Sequence, residues 1–312
     1  MNRLVLIDTA NFLHRAFYAF PMNLTASDGQ VINAVYGFSS MLINLVKELE
    51  PTHLACAMES EEEVVFREVE FPEYKATRVP KSPEEQVAYE SQFPLVLELL
   101  AAADIKTLTA EGYEADDVIG TVAKQVTSSK SQIARRTEVI ITSNDRDLMQ
   151  LIDGRVKFYL PAVGKNKAKL YRRREFLEEY GFAPENLVDF KALRGDTSDN
   201  IPGVRGIGEK TATELIRKHG NLEKIYKNIL EIRPAVATKL NDGKDKAELS
   251  KRLATIATEA PLRFKLSDLK FGGFVNDKVV QLFEKWNFKS LLAKINNSPE
   301  TKVESEDQLK LL

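Results

Sequence analysis

LVLIDTANFLHRAFYAF, residues 4–20, joins two periodicities that belong to different elements. Leu4 to Ile7 is an unbroken apolar run of the kind a buried strand needs, while Phe12, Ala16, Phe17 and Phe20 recur at the spacing of one helix face. Asp8 stands where the strand hands over to the helix. The same grammar returns twice: HLACAM (53–58) is strand-like after a helical 35–49, and EVIIT (138–142) is strand-like after a helix through 118–126. Strands alternating with helices predict an α/β fold, a mostly parallel central sheet flanked by helices.

Away from this framework the pattern changes. Pro72, Pro80 and Pro83 interrupt residues 66–93, and EYKATRVPK there clusters positive charge, which predicts a mobile, partly helical arch. From about Glu175 the strand signal fades and helical pieces dominate. The expected organisation is an α/β domain over 1–167 carrying the arch, a helical domain over 168–295, and a polar, disordered tail over 296–312. Asp8 stops the first apolar run too early for a signal peptide or a membrane span, and Cys56 has no cysteine partner. Both point to a reducing, cytoplasmic setting without a membrane. The net charge of −2 neither favours nor excludes nucleic acid. Between Arg155 and Arg174, eight Lys or Arg residues and no acid make either a solvated hairpin or a phosphate-tracking surface.

The acids fall where the strands end. Asp8 follows the first strand, Glu59 follows HLACAM, and Asp145 and Asp147 follow EVIITSN. In open parallel sheets that edge is where sites are built. Glu114, Asp116 and Asp117 in GYEADDVIG begin a helix, where they are either ordinary helix-start acids or further members of the cluster. Unit charges about 4 Å apart repel by roughly 4 kcal/mol at an intermediate dielectric, so seven converging carboxylates call for cations. Oxygen donors, with only His14, His53 and His219 as imidazoles, favour Mg²⁺ or Mn²⁺ over zinc. Two such ions are the usual apparatus of in-line phosphodiester hydrolysis.

ALRGDTSDNIPGVRGIGEKTATELI (192–216) sets Asp196 and Asp199 beside a glycine-rich turn. The acids read as further metal ligands. GVRGIGEKTA reads as a tight turn whose amides face a phosphate, followed by a helix whose N-terminus adds positive potential.

These segments, together with FREVEFPEYKATR, ITSNDRDLMQLI and the closing LFEKWNFKSLL, resemble the 5′-nuclease (flap endonuclease) superfamily over roughly residues 3–290. The likeness is strongest to the 5′→3′ exonuclease domain of bacterial DNA polymerase I. It implies a PIN-like α/β domain with a helical arch and a helix-hairpin-helix (H3TH) domain. It also implies a monomeric, metal-dependent nuclease that cuts near 5′ flaps, nicks and 5′ ends of duplex DNA during replication and repair. Residue by residue, it assigns Asp8, Glu114, Asp116, Asp117, Asp145, Asp147, Asp196 and Asp199 to the metal site. Lys75 and Arg78 match the basic pair over the scissile phosphate, Tyr74 a base-stacking position and Arg15 a phosphate contact. Gly203, Val204, Arg205, Gly206, Gly208, Lys210 and Thr211 match the H3TH grip on the uncut strand, with a place for K⁺ at the turn.

One position departs from the family pattern. Glu59 stands where the family has Asp, followed by Glu61, Glu62 and Glu63. The extra methylene displaces an oxygen by about an ångström, a scale of misplacement that costs on the order of 10²-fold in rate. The expectation is an active nuclease with altered metal preference, favouring Mn²⁺. The alternative is a DNA-binding module of the same fold whose cleavage is weakened or lost through Glu59. Retention of the other acids favours the enzyme, since a pure binder of an anion has no use for them.

Overall fold

The computed structural model of the protein describes residues 2–60, 64–162 and 167–296. Residues 4–20 form what their pattern predicts: strand β1 (Asn2–Asp8) runs into a helix, Thr9–Ala19, whose first turn is capped by Asp8 accepting from the Asn11 amide at 3.0 Å. The other strands are β2 (His53–Ala57), β3 (Lys106–Leu108), β4 (Thr137–Thr142), β5 (Val156–Leu160) and β6 (Lys169–Tyr171). They form one sheet in the order β3-β2-β1-β4-β5-β6, parallel throughout except for the antiparallel β5–β6 pair. The order reverses at β1, so a crevice opens between the carboxyl ends of β1 and β4.

Both faces of the sheet are covered, and β1 shows why. Leu4 and Leu6 join the core formed with the helix Ala115–Ser128, whereas Val5 and Ile7 join the opposite core with the helices Asn33–Leu49 and Phe93–Ala102. A strand buried on both faces reads as a continuous apolar run for this reason.

The chain divides less simply than residues 1–167 and 168–295 suggest. β6 lies past 167 yet completes the sheet, and the helices Asp277–Lys285 and Lys289–Asn296 return to pack on Phe93–Ala102 and Asn33–Leu49. Phe283, Trp286, Phe288 and Leu291 there are buried in the same core as Val5 and Phe12. Sequence position groups this aromatic-rich helical segment with the helical domain, while its apolar face belongs to the α/β core. Residue 297 onward, where most of the expected tail falls, lies outside the described residues, as do Glu61, Glu62, Glu63 and Lys165.

The basic run 155–174 is mostly consumed by pairing. Lys157 contacts Glu138, Lys169 meets Glu179 at 2.6 Å, and Arg173 meets Glu185 at 2.6 Å. Arg155 donates to the Thr127 and Thr137 carbonyls, both at 2.9 Å. The acids that neutralise the run come from elsewhere in the sequence, so a charge count over the window missed them. No helix among the described residues is long and apolar enough to cross a membrane.

Candidate active site

The crevice is built outward from Ser143, the residue just past β4. Its hydroxyl donates to Asp8 Oδ2 at 2.8 Å and accepts from the Asp145 amide at 2.9 Å. Asp145 in turn caps the 3₁₀ helix Arg146–Leu151, accepting from the Asp147 amide at 2.8 Å. Strand ends and helix starts therefore coincide here, and each helix N-terminus favours the charged form of the acid beside it.

Asp8, Glu59, Glu114, Asp116 and Asp145 line a cavity of about 470 Å³ together with Lys75, Arg78 and His14. Asp145 and Arg78 also line an adjoining cavity of about 920 Å³, which holds Asp147, Asp196, Asp199 and Lys191. Eight of the nine acids expected at the metal site are thus brought to two joined cavities. Asp117 is not. It is fully buried, it accepts from Arg67 Nη1 and Nη2 at 2.7 Å each, and it also accepts from the Ala257 amide at 2.7 Å and the Glu114 amide at 3.1 Å. Its neighbour Asp116 points the other way because successive helical residues differ by about 100° in direction.

The protein's own cations compensate part of the set. Lys75 contacts Glu114, Arg78 meets Asp199 at 2.8 Å, and Lys191 contacts both Asp147 and Asp196. Glu114 also accepts from Arg67 at 2.8 Å and from the Tyr74 hydroxyl at 3.2 Å. Asp8, Asp116 and Asp145 have no ion-pair partner among the described residues. Burial, with the charges of Asp145 and Glu59, pushes the Asp8 carboxyl up to about 6 against its bonds to Asn11 and Ser143. Burial and the charges of Asp145 and Asp8 likewise hold Asp116 well above the usual range. Asp147 rises to about 7 through burial and the nearby Asp145, in spite of Lys191. Asp196 is the opposite case: burial opposes its charge, but Lys191 and two bonds from Ser198 bring it down to about 2.

Among the described residues no three His, Cys, Asp or Glu side chains stand close enough to enclose a metal ion as they are. The donor set still fits one. Asp8, Asp116 and Asp145 are oxygen donors facing a common cavity, and although Lys75, Arg78 and Lys81 line it too, none of the three acids has an ion-pair partner among the described residues. A hard divalent cation would supply that direct compensation.

The expected nucleic-acid contacts divide into inner and outer residues. Arg205, Gly206, Gly208 and Lys210 are exposed and Thr211 half-buried, on the turn and first turn of the helix Glu209–His219, whose N-terminus at Gly208 carries no side-chain cap. Gly203 and Val204 are buried: the Gly203 amide donates to Ser250 Oγ and the Val204 amide to the Leu193 carbonyl, each at 2.9 Å. Gly203 has φ of +60°, and a Cβ there would lie 2.3 Å from the Gly195 nitrogen, so it shapes the turn rather than facing a ligand. Gly206 O accepts from Lys239 at 3.1 Å. Arg15 donates to Asn144 Oδ1 at 2.5 Å beside the acids. Tyr74, expected to stack on a base, is instead 6% exposed and packed with Val188, Ile201 and Leu253. Residues 74–81, expected to be loose, are tied to the Asp196 loop: the Lys75 amide donates to the Asp199 carbonyl at 3.0 Å and Asn200 Nδ2 to the Glu73 carbonyl at 2.7 Å.

Sequence reasoning passed over Ser143, His14 and Arg67. Asn11, His14 and Arg15 share one polar helix face at i, i+3 and i+4, a signal available in residues 9–19. His14 lines both cavities, and burial together with Lys81 and Arg78 lowers its pKa. Arg67 spends all five N–H groups on Glu114, Asp117 and the carbonyls of Leu253 and Thr255. Contacts that distant in sequence leave no local pattern.

Comparison with known proteins agrees with this architecture. Residues 3–181 match the family model of the 5′-3′ exonuclease N-terminal resolvase-like domain, and residues 182–277 that of the 5′-3′ exonuclease C-terminal SAM fold. DNA polymerase I of Caldicellulosiruptor bescii is 37% identical over 308 residues, covering 98% of this chain and 35% of that protein. The chain thus spans about a third of the length of the curated relatives it matches. Among solved structures, T5 5′-exonuclease with bound divalent zinc ions superposes with a TM-score of 0.65 at 23% identity, over 82% of this chain and 90% of that one. A bacteriophage T5 flap endonuclease pseudo-enzyme-product complex with DNA and metal ions gives a TM-score of 0.63 at 23% identity, over 94% of this chain and all (100%) of that one. At that identity the likeness establishes a shared fold.

Proposed function

The chain belongs to the 5′-3′ exonuclease family, and from that premise we propose that it is a structure-specific, divalent-metal-dependent 5′ nuclease hydrolysing phosphodiester bonds near 5′ flaps and 5′ ends of duplex DNA. The observation that carries this reading is the uncompensated acid group, Asp8, Asp116 and Asp145, at the sheet's switch point, with Lys75 and Arg78 lining the same cavity. The bound DNA and metal ions of the T5 flap endonuclease complex support the same ligand classes here.

Asp8, Asp116 and Asp145, with Glu59 beside them, would hold one Mg²⁺ or Mn²⁺, and Asp147, Asp196 and Asp199 a second. Such ions, when bound, lower the pKa of water and neutralise charge on the scissile phosphate. The chain's own residues do the rest. Ser143 ties the Asp8 carboxylate to the backbone at Asp145 through its two hydrogen bonds. Lys75 and Arg78, now resting on Glu114 and Asp199, would exchange those acids for the oxygens of the phosphate, where developing charge strengthens both contacts. Arg15 would meet a neighbouring phosphate. Arg205, Gly206, Gly208, Lys210 and Thr211 would hold the uncut strand at the N-terminus of Glu209–His219, which fixes the distance from the duplex to the acids. A K⁺ at that turn would share it with Lys239, which already occupies the Gly206 carbonyl. Tyr74, buried against Val188, Ile201 and Leu253 and donating to Glu114, would anchor the arch rather than stack on a base.

This reading extends to a monomer acting in replication and repair on bacterial-type cytoplasmic DNA. The binding-module alternative has less support, because Glu59 lines the cavity with Asp8, Asp116 and Asp145. The test is cleavage of 5′-flap, nicked, blunt and covalently closed duplexes in Mg²⁺, Mn²⁺ and EDTA. The proposal expects 5′-flap and nicked substrates to be cut only with a divalent ion; equal cutting of closed circles, or flap binding without product in either metal, would overturn it.

A further inference from the structure

Lys191 lies on the helix Leu187–Arg194 and is 7% exposed. Its ammonium contacts Asp147, from the 3₁₀ turn after β4, and Asp196, from the loop that opens the glycine-rich segment. A lone buried ammonium is costly, so its burial here depends on both acids. They in turn depend on it: Asp147 and Asp196 have no other ion-pair partner among the described residues. The adjoining group differs in kind, since Asp8, Asp116 and Asp145 share a cavity with no ion-pair partner among the described residues.

We propose that Lys191 is a resident counter-ion of the second half of the acidic centre. Its ammonium takes the place between Asp147 and Asp196 that a divalent cation would take, keeps the metal-free protein folded, and must withdraw before that cation binds. The cavity of about 920 Å³ that contains all three residues gives the side chain room to do so. Lys191 thereby acts as a positioning residue, tuning cation affinity without touching the phosphate. The inference rests on the assignment of Asp147 and Asp196 as ligands under the proposed function.

The experiment is Mn²⁺ titration by calorimetry on the whole chain without DNA, alongside thermal unfolding in EDTA and in Mn²⁺, for wild type, Lys191→Met and Lys191→Arg. Methionine keeps the length and apolar stem but removes the charge. Lys191→Met is expected to melt lower than wild type in EDTA, to recover in Mn²⁺, and to bind Mn²⁺ at least about tenfold more tightly, as removal of one competing charge at about 4 Å implies. Lys191→Arg is expected to keep the weak binding of wild type. If Lys191→Met folds only with Mn²⁺ present, that also supports the proposal. Unchanged Mn²⁺ affinity in Lys191→Met, with wild-type binding intact, overturns the role of the lysine alone, and so does a Lys191→Met protein that stays unfolded in Mn²⁺. Absence of Mn²⁺ binding in every variant and in wild type overturns the metal-centre reading itself.

Discussion

Asp116 and Asp117 are adjacent, both acidic, and both in the first turn of one helix. Asp116 faces the cavity with no cation partner, and Asp117 is locked by Arg67 and two backbone amides. Their amide variants should therefore fail in opposite ways. Asp117→Asn is expected to cost about 1–3 kcal/mol of stability, because the buried Arg67 guanidinium loses one of its two acid partners and keeps Glu114. Asp116→Asn should leave the melting temperature in EDTA unchanged or higher, by relieving repulsion, while abolishing metal-dependent cleavage. Thermal unfolding and a cleavage assay on both variants check this, and equal destabilisation by the two would contradict it. Glu59 gives a second prediction at this scale. Glu59→Asp withdraws the carboxylate by one methylene and should raise the ratio of Mg²⁺ to Mn²⁺ cleavage rates, whereas rates and metal preference both unchanged would remove Glu59 from the site. The sequence showed which acids exist and that they collect at strand ends. It could not separate Asp116 from Asp117, because the partner that claims Asp117 lies 50 residues away.

At the scale of elements, β1, β4 and β5 are joined by charge as well as by backbone pairing. Arg3 faces Glu138 in the β1–β4 register, with Arg3 Nε 2.8 Å from the carboxylate, and Lys157 of β5 contacts the same group. Burial opposes the charge of Glu138, but the bonds from Lys157 and Arg3 outweigh it and hold its pKa below the usual carboxylate value. With a depressed folded-state pKa, the stabilisation is fully present above the unfolded value, about 4.3, and is lost as pH falls through the folded one. Glu138→Gln is thus expected to be less stable than wild type by about 1–3 kcal/mol at pH 7, with the gap closing on acidification below about pH 4. Denaturant melts at both pH values measure it, and a gap that persists undiminished in acid would contradict it. β1, β2 and β4 were legible because burial on both faces writes a continuous apolar run, whereas β3, three exposed or half-buried residues, and β5, inside the basic window, were not. Nor was β6, with three residues in a window dominated by lysine and arginine whose acid partners lie outside it.

For the whole molecule, the sheet order brings the β1 and β4 ends together, and the return of 277–296 to the α/β core ties the far end of the chain to its beginning. The first feature follows from the repeated strand-acid-helix grammar. The second has no local signature, since an amphipathic helix does not say which core it covers. Long-range ties of the same kind set the arch against the Asp196 loop, where prolines and clustered charge predict a mobile segment, and bury Tyr74, where the family resemblance implies a base-stacking position. On the proposed function, the strand-end acids form a metal-dependent centre for cutting DNA. This is tested most directly by single-turnover cleavage of a 5′-flap DNA at saturating Mg²⁺, comparing wild type with Asp145→Asn and measuring flap binding in parallel. Substitutions even outside the ligand shell cost about 10–100-fold, so loss of Asp145 is expected to slow cleavage at least that much, with flap binding retained and EDTA stopping the wild type. Cleavage by Asp145→Asn at the wild-type rate, or wild-type cleavage that persists in EDTA, would contradict the account.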